Sequence, residues 1–152
     1  MEAYSKVITF TLNKQDYAID INQISSIERL QQITKVPGVS DSIKGMINLR
    51  GRITPIIDLK ERLSIGNTTD SSESRIVIVE NNASQVGLIV DDAKDVLDLD
   101  TTAIEPAPES MHAVKDSFIK GVAKLEGKLL LLLDVKQVIR EEEKDQCKEL
   151  HQ

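Results

Sequence analysis

SIKGMINLRGRITPIIDLKERL, residues 42–63, occurs in the chain a second time, as FIKGVAKLEGKLLLLLDVKQVI at residues 118–139. The two segments align without a gap and share seven identical residues over 22 positions. Unrelated segments of average composition would share roughly one or two. The chain is therefore an internal duplication, which constrains the fold strongly. The identical pairs are Ile43/Ile119, Lys44/Lys120, Gly45/Gly121, Leu49/Leu125, Gly51/Gly127, Asp58/Asp134 and Lys60/Lys136.

The repeated segment is predicted to be a β-hairpin. Two apolar runs, 43–49 and 52–58, flank a tight turn at Arg50-Gly51, and glycine suits a turn that requires positive φ. Proline has no N–H to donate to a sheet ladder. Pro55 therefore predicts an edge, a bulge or a barrel corner in the second strand.

The duplication extends to the segments that precede each hairpin. Residues 7–12 match residues 75–80, and YAIDINQISSI (17–27) matches VGLIVDDAKDV (86–96). Val7 to Leu12 alternates between apolar and polar residues, as a half-buried strand requires. Each half thus carries about five strand candidates in the same order.

These patterns predict an all-β fold in a single domain of 152 residues. A flat five-stranded unit would expose its edges, and curling it into a small barrel removes most of them. We therefore expect barrels from about 7–63 and 75–139, packed about an approximate two-fold around a shared core. Residues 64–74, SIGNTTDSSES, should be an exposed linker and residues 98–117 a surface loop. A short helix and tail are expected over 135–152.

Composition limits the classes of function. The chain is 40% hydrophobic and 29% charged, and it has no apolar run long enough to cross a bilayer, so we expect a soluble protein. The N-terminus lacks the features of a secretory signal, and one cysteine permits no internal disulfide, so a cytoplasmic protein is expected. A net charge of −6 argues against a broad surface for nucleic acid or anionic lipid.

No constellation of residues predicts catalysis, a cofactor or a metal. The only histidines are His112, beside a proline-rich segment, and His151, near the C-terminus. Cys147 and His151 have the spacing of two ligands on a helix, but a charged, frayed tail is the more common meaning of such a segment. Aromatic residues make up 3% of the chain, too few for the stacking surface of a nucleic-acid-binding barrel. The sequence therefore predicts a protein that is not an enzyme.

The repeat also separates positions that serve the fold from positions that are free to serve a partner. Gly51 recurs as Gly127, which indicates a role in folding, whereas Arg50 becomes Glu126. A planar guanidinium at an exposed tip suits a partner's carboxylate or carbonyl groups. Ile24 and Ile27 follow a buried strand at a spacing that leaves at least one apolar side chain near the surface. An apolar patch with a charged rim is typical of a protein interface.

These residues resemble the CheW adaptor family of bacterial chemotaxis. The likeness covers about residues 5–139, and it rests on YAIDINQISSIERL, ITKVP, SIKGMINLRGRITPIIDLKERL, VGLIVDDAKDVLDLD and EPAPE. The resemblance implies two five-stranded, SH3-like barrels around a shared core. It also implies a non-catalytic adaptor that couples the histidine kinase CheA, through its regulatory domain, to the cytoplasmic tip of methyl-accepting chemotaxis receptors.

The resemblance assigns site residues by position. On the receptor side these are Ile24, Ile27, Glu28, Arg50, Val86 and Ala93, and on the kinase side Gly45, Ile47, Asn48 and Gly51. Many family members have an acidic residue where this chain has Ser26. Either Glu28 takes over the polar contact of that residue, or the contact is weaker here.

The resemblance further implies a cytoplasmic protein that is recruited to receptor arrays at the inner membrane face, without insertion into the membrane. Weak self-association and rings formed with CheA are both compatible with it. Two other functions stay open from the sequence: an adaptor for a signalling kinase outside chemotaxis, and a small-barrel protein that binds nucleic acid.

Overall fold

The computed structural model describes residues 4–38, 42–68, 71–81, 84–106 and 118–139. Strands dominate it, and the helices are short: α1 (Leu59–Arg62), α2 (Val135–Val138) and two 3-10 turns at Ile21–Gln23 and Thr101–Ala103. The all-β prediction is confirmed. In chain order the strands are β1 (Tyr4–Leu12), β2 (Gln15–Asp20), β3 (Ile24–Arg29), β4 (Ile43–Leu49), β5 (Arg52–Asp58), β6 (Arg75–Asn81), β7 (Ser84–Val90), β8 (Asp92–Asp100), β9 (Ile104–Pro106), β10 (Ile119–Leu125) and β11 (Lys128–Leu133).

The strands form two sheets that correspond to each other. Sheet I has the order β8-β1-β2-β11-β10-β9, and sheet II has the order β3-β6-β7-β5-β4. The sequence repeat makes β1 to β5 equivalent to β6, β7, β8, β10 and β11, and this exchange converts one order into the other. The counterpart of β9 is an isolated bridge between Thr34 and Met46. The predicted approximate two-fold relation is therefore confirmed.

The expectation that each repeat closes its own barrel is wrong, because the repeats exchange their first two strands. Sheet II combines β3, β4 and β5 with β6 and β7 of the second repeat, and sheet I does the reverse. A 3-10 turn capped by Asp20 carries the chain from sheet I to sheet II, and Asp91 lies at the equivalent crossing back. The apolar pattern of a strand is the same in either sheet, so the repeat identifies equivalent strands but not their neighbours.

The core is shared between the sheets, as expected. Its central cluster joins Phe10 and Tyr17 of sheet I to Val79 and Leu88 of sheet II, all of them buried. A smaller cluster lies within each barrel. The cluster of sheet I surrounds Leu130, and the cluster of sheet II surrounds Ile76 and Ile78 of β6. Each fully buried side chain of this kind stabilises the fold by about 1.5–3 kcal/mol.

The hairpin prediction for residues 43–58 is confirmed, including the position of its proline. Strand β5 pairs with β4 along its length, but it pairs with β7 only from Ile56 onward. Pro55 therefore lies in the part of β5 that pairs with one described strand only, and its missing N–H costs the sheet no hydrogen bond there. Asp58 and Asp134, an identical pair of the repeat, both cap the short helix that follows, each accepting a backbone N–H two residues on.

Two boundary predictions change. The loop expected over 98–117 is wrong for most of residues 98–106, because β8 continues to Asp100 and Ile104–Pro106 forms an edge strand against β10. Residues 107–117 lie outside the described residues. An edge strand tolerates a proline at its end. The expected C-terminal helix is present as α2, whereas residues 140–152, with Cys147 and His151, lie outside the described residues, as does His112.

Candidate functional site

The tip of the β4–β5 hairpin holds Arg50 in a strained backbone conformation. Arg50 has φ +49° and Gly51 has φ +85°, which is the pattern of a type I′ turn. The side chain of Asn48 supports this turn, since its Oδ1 accepts a hydrogen bond from the N–H of Gly51 at 2.9 Å. In the equivalent turn of the second repeat Gly127 has φ +72°, but Glu126 does not have the positive φ of Arg50. The two tips thus differ in backbone as well as in charge.

The guanidinium of Arg50 reaches across the open side of sheet II to Glu28. Its Nη2 lies 2.9 Å from Oε2 of Glu28, although 69% of the Arg50 side chain is exposed. Glu28 belongs to β3 and Arg50 follows β4, and these strands are the two edges of sheet II. The ion pair therefore joins the two edges and fixes the direction of an otherwise exposed guanidinium.

The pKa of Glu28 is lowered from its ordinary value. The largest cause is the hydroxyl of Ser26, followed, in the same direction, by the hydrogen bond and charge of Arg50, while partial burial opposes both. Ser26 Oγ is buried and makes no hydrogen bond of standard geometry. Glu28 contacts Arg50 directly, and its replacement of the polar contact usual at position 26 stays a prediction.

A β-bulge brings Ile24 and Ile27 to the same face of β3. Ile24 pairs with Val79 and Ile27 pairs with Val77, with one extra residue of β3 between them. Both partners belong to the central core cluster, and Ile24 packs against that cluster. Ile27 lies further along the edge strand and is 38% exposed. The prediction of an apolar side chain near the surface is thus confirmed at Ile27.

Val86 and Ala93 occupy different environments. Val86 pairs with Val79, next to Ile24 in the same cross-strand row, and is only 1% exposed. Its side chain is therefore not available for direct contact at the surface. Ala93 belongs to β8 in sheet I, where it pairs with Phe10 of the central core. In the repeat alignment Ala93 is the equivalent of Ile24, so the two residues hold matching positions on the two sheets.

The four residues assigned to kinase binding all lie in β4 or in the turn that follows it. Ile47 is buried, and a Cβ on Gly45 would overlap the carbonyl oxygen of Thr34. Gly45 also has φ +145°, which other residues rarely adopt. Gly45, Ile47 and Gly51 thus shape the hairpin, while the exposed side chain of Asn48 supports the turn directly.

Val96 is a candidate that the sequence interpretation missed. It is 52% exposed on β8 and pairs with Ile8, which lies on the same face of β1 as Phe10. A bulge separates Val96 from Ala93, as the bulge in β3 separates Ile27 from Ile24. The alignment of 17–27 with 86–96 already made Val96 the equivalent of Ile27, so the repeat carried the signal. Each sheet therefore presents one half-buried and one exposed apolar residue on its edge strand.

Other kinds of site receive no support from the described residues. Phe10 and Tyr17, two of the few aromatic residues, are buried and stack on each other with ring centroids 6.1 Å apart, so neither can stack on a base. Burial also raises the pKa of Tyr17. The described ranges contain no group of three or more His, Cys, Asp or Glu residues placed to hold a metal ion. None of their helices has the length and apolar character needed to span a membrane.

Comparison with known proteins identifies the family. A model of the CheW-like domain matches residues 6–143. The chemotaxis protein CheW of Bacillus subtilis is 42% identical over 137 residues, which cover 90% of this chain and 88% of that protein. CheW of Klebsiella aerogenes is 32% identical, with 90% and 82% covered. The crystal structure of the scaffolding protein TtCheW from Thermoanaerobacter tengcongensis superposes with a TM-score of 0.83 at 35% identity, covering 92% of this chain and 90% of that one. The chain therefore belongs to the CheW-like family.

Proposed function

We propose that this protein is a non-catalytic adaptor that couples the histidine kinase CheA to methyl-accepting chemotaxis receptors. The observation that carries the proposal is the family match over residues 6–143, together with relatives of matching length that are named chemotaxis proteins. An adaptor needs surfaces rather than a reactive centre, and its surfaces must be available to two partners at once. On this proposal the protein works in the cytoplasm, at receptor arrays on the inner face of the membrane.

The receptor side of the proposed adaptor uses the apolar residues of the two edge strands. Ile24 and Ile27 on β3, and Ala93 and Val96 on β8, would pack against the helical tip of a receptor. What supports this is the exposure of Ile27 and Val96 beside the shared core. Arg50 adds a charged contact, with Glu28 setting the direction of its guanidinium. Apolar residues with an arginine at the rim are a common composition for an interface.

The kinase side of the proposed adaptor uses the β4–β5 hairpin. Gly45, Ile47 and Gly51 would act through the shape of the hairpin. Gly45 and Ile47 face the protein, and Gly51 lies at the turn. Asn48 is exposed and would contact the regulatory domain of CheA directly. Arg50, which is assigned to the receptor side, lies at the tip of the same hairpin, so the two proposed partner surfaces would adjoin there.

Separate binding measurements test the proposal. The purified protein should sediment with a receptor signalling fragment and with the isolated regulatory domain of CheA, and with both in one complex. An unrelated acidic β protein of similar size serves as the control for non-specific sedimentation. Binding to neither partner at micromolar concentration would refute the proposal, and salt-sensitive binding to DNA or RNA would favour the alternative class of function.

A further inference from the structure

An ion pair joins the two sheets at the point where the chain crosses between them. Lys60 of α1 is only 8% exposed, and its Nζ lies 2.9 Å from Oδ1 of Asp91. The other carboxylate oxygen, Oδ2, accepts a hydrogen bond from the N–H of Asn13 at 2.8 Å. The Asp91 side chain is 27% exposed, so only the lysine of the pair is buried. Loss of Asp91 would leave the charge of the buried Lys60 uncompensated, so the pair favours one position of Asp91 relative to α1.

The contacts of Asp91 connect elements of both sheets. Asp91 is the single residue between β7 of sheet II and β8 of sheet I, and its N–H donates to the carbonyl of Thr11 in β1 at 3.1 Å. Lys60 follows β5 of sheet II, whereas Asn13 lies in the β1–β2 turn of sheet I and donates from Nδ2 to the carbonyl of Ile65 at 2.9 Å. We call this group of Lys60, Asp91 and Asn13 the inter-sheet clasp.

The clasp exists on one side of the approximate two-fold only. The repeat makes Lys136 equivalent to Lys60 and Asn22 equivalent to Asp91. Lys136 is exposed, and Asn22 is neutral, so this second crossing cannot hold the same ion pair. Both crossings are nevertheless made. An ion pair present at one of two equivalent crossings is not required to close the fold, and it is therefore free to serve the surface beside it.

The surface beside the clasp is one of the two apolar edges proposed to bind a receptor. Ala93 lies two residues after Asp91, and β8 begins its pairing with β1 between them, at Asp92 and Thr11. A shift of Asp91 would move the start of β8 and with it Ala93, while the β4–β5 hairpin would keep its own contacts.

We propose that Lys60 and Asp91 are positioning residues that fix the edge strand β8 relative to sheet II, and thereby set the spacing between the apolar edges of β3 and β8. This inference rests on the proposed function, since it assigns the clasp a role in receptor binding and not in kinase binding. The clasp residues touch neither partner; they act through Ala93 and Val96.

The test uses the full chain with Lys60→Met, which keeps the aliphatic stem but removes the charge, and with Asp91→Asn, which keeps an acceptor for the N–H of Asn13. Lys136→Met is the matched control at the equivalent exposed lysine. Isothermal titration gives the dissociation constants for a receptor signalling fragment and for the CheA regulatory domain. Hydrogen exchange reports on the amides of β8 without any partner, and circular dichroism confirms that each variant is folded.

We expect the dissociation constant for the receptor fragment to rise about three- to tenfold in both clasp variants, the range seen when a residue acts through its neighbours. The constant for the kinase domain and both constants of Lys136→Met should stay unchanged. The double variant should lose less than the sum of the single losses, because each single change already breaks the pair. Exchange should accelerate at the start of β8 and not in the β4–β5 hairpin.

The inference would be overturned by unchanged exchange at the start of β8, by an equal loss of affinity for both partners, or by loss of folded structure in both variants. If the unaltered protein binds neither partner, the proposed function fails, and the role of the clasp in receptor binding fails with it. If the unaltered protein binds both partners and the clasp variants bind equally well, only the present inference fails.

Discussion

Arg50 combines a strained backbone with an exposed side chain that is held by one ion pair. A non-glycine residue at positive φ costs roughly 1–2 kcal/mol in the left-handed region, and asparagine would fit this turn better. The chain nevertheless has arginine here and glutamate at the equivalent tip of the second repeat. The guanidinium therefore has a use that the turn itself does not supply.

Arg50→Glu should weaken binding of a receptor signalling fragment by about 1–3 kcal/mol, the range for a lost charged contact at an interface. The change removes the guanidinium and places a second carboxylate beside Glu28. Arg50→Asn should weaken binding as well, but with equal or higher stability of the protein, because asparagine tolerates the turn. Titration calorimetry and thermal unfolding measure the two effects.

Glu126→Gln, at the equivalent tip, is the control for the Arg50 variants and should leave the affinity unchanged. If Arg50→Glu unfolds the protein, Arg50 serves the fold and its assignment to a partner is wrong.

Glu28 should make stability depend on pH in one direction. Its pKa is lowered from the ordinary value of 4.5, chiefly by Ser26 and then by Arg50. The charged form is therefore favoured in the folded state, and its contribution is fully present above pH 4.5 and is lost as the pH falls through the lower folded value. The difference in unfolding free energy between the natural protein and Glu28→Gln should be constant near neutral pH and should narrow in acid.

Denaturant unfolding between pH 7 and pH 3 measures this difference. A difference in unfolding free energy that grows in acid would contradict the lowered pKa of Glu28. Ser26→Ala provides an independent check, since a carbon-13 titration of the Glu28 carboxyl should then give a pKa closer to the ordinary value.

At the scale of the element, the β4–β5 hairpin contains two glycines with different reasons for being glycine. A Cβ on Gly45 would overlap the Thr34 carbonyl and come within 2.8 Å of the Ile33 side chain, whereas a Cβ on Gly51 would meet nothing within 4 Å. Both have positive φ. Gly45 thus serves a close approach between two segments, and Gly51 serves the turn alone.

Gly45→Ala should lower the free energy of unfolding by about 2–3 kcal/mol, because steric overlap is added to backbone strain. Gly51→Ala should cost only about 1–2 kcal/mol, the strain of the left-handed backbone. Urea unfolding of both variants measures the difference. Equal costs for the two substitutions would show that the approach to Thr34 does not constrain the hairpin.

At the scale of the whole molecule, the exchange of strands makes the two repeats dependent on each other. The first repeat supplies β1 and β2 to sheet I, and the second supplies β6 and β7 to sheet II. Neither repeat alone can complete a sheet. Fragments cut within the linker, at residues 69–70, should each be unfolded by circular dichroism and should fold when mixed. A folded fragment 1–68 would contradict this dependence.

The duplication, the hairpins and the shared core could be predicted from the sequence, because alternating apolar residues and identical glycines have direct structural meanings. Arg50 could be selected because it does not recur in the second repeat, and Ile27 because of its spacing after a buried strand. The exchange of strands could not, since a strand buries the same residues whichever sheet it joins. The ion pair of Lys60 with Asp91 could not be predicted either. It joins positions 31 residues apart, and their contact depends on the exchange of strands.

The activity of the kinase in a reconstituted complex tests the proposed coupling role most directly. CheA autophosphorylation should be measured with receptor signalling fragments, with and without this protein, and again with Arg50→Glu. We predict that the natural protein changes the kinase rate only when the receptor fragments are present, and that Arg50→Glu reduces this change. A rate that is the same with and without the protein would contradict the proposal that it couples the kinase to the receptors.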